Sequence, residues 1–348
     1  MSHDRTTDWA RLLFTIVVLV TLLLPAAAST VHAGGTWTNQ APVAPAARHS
    51  HAVASAGEGQ MILFGGSGEN AFYLNDTWLY DLGADAWTEK HPSSAPSARQ
   101  YHAMAPIGGD QVLLFGGFDG GFRNDTWVYD LSANTWTSKK VTAPPPARAY
   151  HALAYLGGDQ VLLFGGYDGD YLGDTWSYDL SDNTWSERTF LTAPSPRDYH
   201  GMASIGDGQV LLFGGNTGLP DIANDETWIY NVDGWRKKTT TSAPSARYRH
   251  AVAYAGADQV VLFGGYDETD ELLDTWAYDL SANTWTLKFV GIPSARSRHA
   301  MAHLGGDKVG LFGGQDGTDR YSDTWVYDLG ANGWAEQPPT PSSRSAHA

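Results

Sequence analysis

Between residues 148 and 185 the chain reads RAYHALAYLGGDQVLLFGGYDGDYLGDTWSYDLSDNTW, and its apolar and polar positions fall into four short runs. In the first, His151, Leu153 and Tyr155 share one face while Ala152 and Ala154 share the other, the period of two expected of a strand. The second, QVLLFGG, has no polar alternation, so it predicts a central strand covered on both faces. Its closing glycine pair suits a backbone that turns or is closely approached. The third run sets Trp176, Tyr178 and Leu180 against Thr175, Ser177 and Asp179, and the fourth is centred on Trp185.

The same text recurs. LFGG occurs six times, with its first glycine at 65, 116, 165, 214, 264 and 313, so the steps are 51, 49, 49, 50 and 49 residues. A period near 50 marks one supersecondary unit repeated in space. The small face of the first run also recurs, as Ala52/Ala54, Ala103/Ala105, Gly201/Ala203, Ala251/Ala253 and Ala300/Ala302, which predicts close approach by a neighbour. Six four-stranded sheets packed radially describe an all-β fold, a β-propeller. Burying one tryptophan contributes at most about 4 to 6 kcal/mol, so two per unit are enough to bind neighbouring blades together. A lone fourth strand is expected around Trp37 and a lone first strand in PSSRSAHA (341–348). Two readings of these orphans stand open: a fragment of a seven-bladed parent, or a six-bladed ring whose ends compete for one edge.

The first 33 residues carry a different pattern, in which Arg5 and Arg11 precede LLFTIVVLVTLLL (Leu12 to Leu24) and then PAAASTVHA. This is the layout of a signal peptide, with cleavage expected after Ala33 or, second, after Ala28. An uncleaved N-terminal membrane anchor is the alternative. Residues 34–348 would form the propeller, and the destination would be secreted, periplasmic or cell-surface. With no cysteine in the chain, the fold must stand on burial without disulfides. A formal charge of −16 argues against nucleic acid, and against anionic membranes once the leader is removed.

Gly116 and Gly117, followed by Tyr129 and, after six more residues, Trp136, resemble the kelch repeat over residues 35–348. The resemblance implies a propeller that works by binding. The fourth copy departs: four residues separate Tyr230 from Trp235, and Asp225 is followed by what reads as an extra Glu226, so an irregular outer edge is expected there.

The turns between strands one and two, and between three and four, are uniform. The loops between strands two and three vary, with 9, 7, 7, 9, 8 and 8 residues between the glycine pair and the Asp of DTW or DETW, and they share one end of the propeller. That end is the expected binding face for a protein or glycan, with Phe122, Tyr171, Asp221, Glu226, Asp270 and Tyr321 as candidates. Each unit opens with Arg and, three residues on, His: Arg48/His51, Arg99/His102, Arg148/His151, Arg197/His200, Arg247/His250 and Arg296/His299. A ring of cations from Arg99, Arg148, Arg197, Arg247 and Arg296 around the channel is one reading. The structural reading is favoured: an arginine satisfying loop carbonyls or the Asp of DTW, on the opposite face of an extended strand from its histidine. The loop acids Asp168, Asp170, Glu268, Asp270, Glu271, Asp316 and Asp319 read as a solvated rim rather than a cation site, and no metal or cofactor is expected.

Relatives with chemistry give further tests. Copper radical chemistry like that of galactose oxidase needs a cysteine this chain lacks, and the iron pattern of nitrile-specifier proteins is absent. A sialic-acid mutarotase resembles the chain in blade number and needs no cofactor. The expectation is therefore a monomeric, non-catalytic binding propeller. A cofactor-independent epimerase, mutarotase or lyase at the channel mouth is the alternative, with Asp221, Asp225 and Glu226 of the fourth unit as the first place to seek a non-repeated acid.

Overall fold

A computed structural model describes residues 44–218, 222–288 and 293–337. The leader, Trp37, Asp221 and residues 341–348 lie outside the described residues. Six antiparallel four-stranded sheets follow one another in chain order, each built from one repeat. Blade three is representative, with strands Ala152–Gly157, Gln160–Tyr167, Tyr171–Asp179 and Thr184–Arg188. First strands line the axis, each beside those of both neighbours, and Ala52–Ser55 of blade one lies next to Ala300–His303 of blade six.

The glycine pair is the hinge between blades. Gly165 and Gly166 have φ of 65° and 106°, and the ladder slips there by one residue. A Cβ on Gly165 would stand 2.6 Å from the Arg197 carbonyl oxygen of the next blade, and one on Gly166 would stand 2.9 Å from the Cβ of His151. Gly166 N–H donates to that same Arg197 oxygen at 2.9 Å. The bond recurs around the molecule, and Gly314 N–H donates to the Arg48 oxygen at 2.9 Å, which closes the ring at six blades.

Farther out, each fourth-strand tryptophan reaches back one blade. Trp185 Nε1–H donates to Thr126 Oγ1 at 3.0 Å, and Trp87 completes the circle by donating to Thr324 at 2.8 Å. The Thr of DTW is thus an acceptor for its neighbour. Trp185 also meets Phe115 at 5.0 Å, in an interblade core where Ala103, Ala105 and Leu113 of blade two face Leu153, Val161 and Tyr178 of blade three. The Tyr-to-Trp spacing is explained by pairing: Tyr129 sits opposite Trp136, and its hydroxyl donates to Asn134 Oδ1 at 2.8 Å inside the turn.

Blade four corrects two expectations. Its outer pair is regular, Tyr230 opposite Trp235 and Asn231 opposite Gly234, because two residues are lost from the turn and none from the ladder. Glu226 is no insertion: it occupies the Asp position of DTW, immediately before Thr227. A real asymmetry lies elsewhere. In blades one to three the second and third strands run on past the glycine pair as hairpins, as in Gly166 opposite Leu172 and Tyr167 opposite Tyr171. In blades four to six the second strand stops at Phe213, Phe263 and Phe312.

Candidate functional site

The variable-loop end is also where the first strands begin, so the motif Arg-x-y-His surrounds the mouth of the central channel. Its arginines are structural. Arg148 donates to the Gly165 carbonyl at 3.0 Å, forks onto both carboxylate oxygens of Asp174 at 2.6 and 2.7 Å, and is fully buried. Arg48, Arg99, Arg247 and Arg296 pair with Asp76, Asp125, Asp274 and Asp323, and Arg197 with Glu226. All six arginines are at most 1% exposed, so none offers a free guanidinium to a ligand. Burial works to raise the Asp174 carboxyl, but the hydrogen bonds and charge of Arg148 outweigh it and hold the group below its usual value. Glu226 is committed in the same way, accepting from Arg197, Trp228 and Lys237.

Residue y of the motif overturns the extended-strand expectation. Ser50, Tyr101, Tyr150, Tyr199, Arg249 and Arg298 all adopt φ between 51° and 61°, which swings Arg outward and His inward. Their N–H groups each donate to the preceding blade's y carbonyl, at 2.8 to 3.0 Å, and Ser50 N–H donating to the Arg298 oxygen completes a cyclic ring of six bonds. Beneath it the six histidines stand edge-on to phenylalanines, His151 to Phe115 at 5.5 Å for example. They are 6% exposed. Burial, with the charge of the adjacent arginine second, lowers His151 and His250 to about 3 and His51, His200 and His299 well below their normal value.

The side chains on this symmetric frame are not symmetric. On one side Tyr101, Tyr150 and Tyr199 pack as a cluster, Tyr150 lying 4.3 and 4.4 Å from the other two, which meet edge-on at 5.9 Å. On the other stand Ser50, Arg249 and Arg298, and together these residues line a cavity of about 160 Å³. Arg249 lies over Tyr199 and Tyr248, 4.9 Å from each ring. Arg298 donates to Gln315 Oε1 at 3.2 Å. Asp198, residue x of blade four, is buried, its Oδ1 lacks a partner, and burial pushes its carboxyl up to about 7 against the pull of Arg249. Burial and then the charges of Arg298, Arg320 and Arg249 lower His49 to about 3. At the far end of the channel Met104, Met202 and Met301 line a second, more apolar cavity of about 120 Å³.

The sequence-based candidates scatter around this mouth. Phe122 packs on Phe118 and Tyr167 at 5.5 and 6.1 Å, and Tyr171 accepts from Asn216 Nδ2 at 3.2 Å with 36% of its surface exposed. Tyr321 covers the Arg296 guanidinium at 4.1 Å and donates to Asp316, so it supports the fold. Asp270 is exposed at a loop tip and Asp225 is exposed beside Glu226. Glu268 and Glu271 accept from Ala223 N–H and Gly317 N–H, tying neighbouring loops together. Asp198, Arg249 and Arg298 were missed, although the text RHSH, RQYH, RAYH, RDYH, RYRH, RSRH carries a signal: two variable residues inside an invariant frame.

A sequence profile for the KLHDC2/KLHL20/DRC7 Kelch-repeats domain matches residues 31–215 and 208–348. Among curated proteins, a kelch domain-containing protein 2 of Bos taurus is 35% identical over 75 residues, 21% of this chain and 18% of its own length. An F-box/kelch-repeat protein of Arabidopsis thaliana is 34% identical over 77 residues, 21% of this chain and 16% of its own. The putative adagio-like protein 2 of Oryza sativa is 38% identical over 66 residues, 18% and 10% respectively. The chain thus matches less than a fifth of each relative's length.

Proposed function

The chain belongs to the kelch-repeat family, and from that premise we propose that it is a non-catalytic binding propeller that takes its partner, a protein segment or glycan, on the variable-loop end around the channel mouth. One observation carries this reading. Among the described residues, buried side-chain polar atoms without a partner gather at the variable-loop mouth, on Asp198, Arg249, Ser297, Arg298 and Arg320, whereas five of the six inner histidines turn one ring nitrogen to the backbone of the facing phenylalanine. Folded proteins rarely leave such atoms unpaired, because each costs about 1 to 3 kcal/mol. Groups held ready for an incoming ligand account for them.

Peptide and glycan libraries panned against the purified chain test it. Recovered ligands are expected to weaken at least 10-fold in Tyr171→Ala and Arg249→Gln and to be unchanged in Val232→Ser, on the opposite end. Ligands sensitive only to the Val232 end would overturn it. Export belongs to the same proposal and rests on the apolar run Leu12 to Leu24. It is tested by locating the protein and sequencing its mature N-terminus. The catalytic alternative is favoured by Asp198 alone, a buried, non-repeated acid of blade four.

A further inference from the structure

The protein is acidic, at −16 overall, yet three arginines gather at one edge of the channel mouth outside any ion pair, with the Asp198 carboxyl near enough to feel Arg249. Arg249, Arg298 and Arg320 form no ion pair among the described residues, while the six repeat arginines all do. All three charges bear on His49. Each keeps a buried Nε–H without an acceptor. Arginine stays protonated, so these are permanent charges with open hydrogen-bonding edges. They are also held in place. Arg249 is stacked on Tyr199 and Tyr248, Arg298 is tied to Gln315, and Arg320 rides on the short hairpin pair Gln315–Asp316 and Asp319–Arg320. Such preorganisation lowers the ordering cost of binding.

The opposite wall has another chemistry. Three tyrosine rings clustered together present aromatic surface, and the six inner histidines line the cavity beside them. The cavity between these walls is about 160 Å³. A cavity of roughly 150 Å³ holds one benzene-sized ring.

We propose that the mouth is a binding site for a small single-ring carboxylate, its carboxylate on Arg249 and Arg298, its ring against Tyr101, Tyr150 and Tyr199, and a ring hydroxyl at the open Nδ1 atoms of the inner histidines. The acidic surroundings exclude extended polyanions and leave room for one localised charge. The inference deepens the binding reading above and rests on it. A hydroxylated aryl acid and a sugar acid share this chemistry.

Calorimetric titration of the full chain with 4-hydroxybenzoate and with glucuronate separates the two sources, since saturation by either supports the site and the tighter one names the source. The neutral counterparts, methyl 4-hydroxybenzoate and glucose, are expected to bind at least 10-fold more weakly. Arg249→Gln is expected to weaken the carboxylate at least 10-fold, and Arg249→Gln/Arg298→Gln to remove measurable saturation. Their melting temperatures should fall by no more than a few degrees, since the stacking of Arg249 and the bond from Arg298 to Gln315 are lost but the blade ion pairs are kept. No saturation by either acid, equal binding of the neutral counterparts, or unchanged binding in the double variant would each overturn the proposal. Failure here with library ligands still dependent on Tyr171 would sink this inference and leave the binding propeller standing.

Discussion

Lowering the pH from 7.5 to 5.5 is expected to bring the propeller close to unfolding, because of the histidine ring. All six rings are buried and neutral in the native state, with His102, His151 and His250 at about 3 and the others well below normal. The unfolded chain takes up protons below about 6.5, the ordinary histidine value. Since the folded values are depressed, the stability is intact above about 6.5 and is lost as pH falls towards the folded values. At pH 5.5 the native rings have not titrated, so the loss depends only on the unfolded value. It is about 1.4 kcal/mol per ring and about 8 kcal/mol for the six; His49, also at about 3, adds a similar loss, and Asp198, raised to about 7, takes up its proton in this window and offsets about 2 kcal/mol. Domains typically hold 5 to 15 kcal/mol in all. The aspartates paired with arginine titrate lower and do not contribute in this window. Calorimetric melting at pH 7.5, 6.5 and 5.5 should show a fall of about 10 °C or more. His102→Gln, which removes one titrating ring, should reduce the pH dependence by about one sixth. A melting temperature constant within about 2 °C, or NMR signals assigned to the six inner rings titrating near 6.5, would refute the reasoning.

Two further outcomes follow from the geometry. Gly116→Ala places a Cβ 2.8 Å from the Arg148 oxygen at φ 65°, so it should cost about 3 kcal/mol or more in urea unfolding, whereas Gly121→Ala, with nothing within 4 Å, should be nearly neutral. Asp198→Asn should stabilise the fold at pH 8 by up to about 4 kcal/mol and by little at pH 4, since a raised carboxyl value costs stability as pH climbs from the unfolded value through about 7. If the variant also abolished catalysed mutarotation of a free sugar, the enzymatic alternative would displace the binding reading.

The ring of blades was legible because its determinants are local and repeated. The glycine pair, the alternating first run and the fixed interval from Tyr129 to Trp136 each answer to one contact, and those contacts recur six times. The pairing of arginine with the Asp of DTW could be anticipated from the same regularity. Blade four misled because a shortened turn and an exchanged acid look alike in sequence; the paired register tells them apart. The mouth itself stayed hidden for a different reason. Attention to what repeats passes over residues x and y, and the left-handed backbone at Tyr101 or Arg249 has no glycine to advertise it. That turn is imposed by the neighbouring blades through the cyclic hydrogen bonds, a tertiary constraint that a strand-by-strand reading does not contain.

The cyclic bonds have a consequence for how such a molecule can change. They are made by main chain, so they are indifferent to the side chain carried at any of the six positions, and serine, tyrosine and arginine already occupy equivalent places on them. The circle behaves as a dial whose settings can be altered one at a time without disturbing the mechanism behind it. Only the left-handed conformation restricts the choice, disfavouring valine, isoleucine and threonine. New specificities can therefore be written into this end while the glycine hinges and tryptophan anchors stay fixed. A library varying just those positions would sample recognition separately from folding.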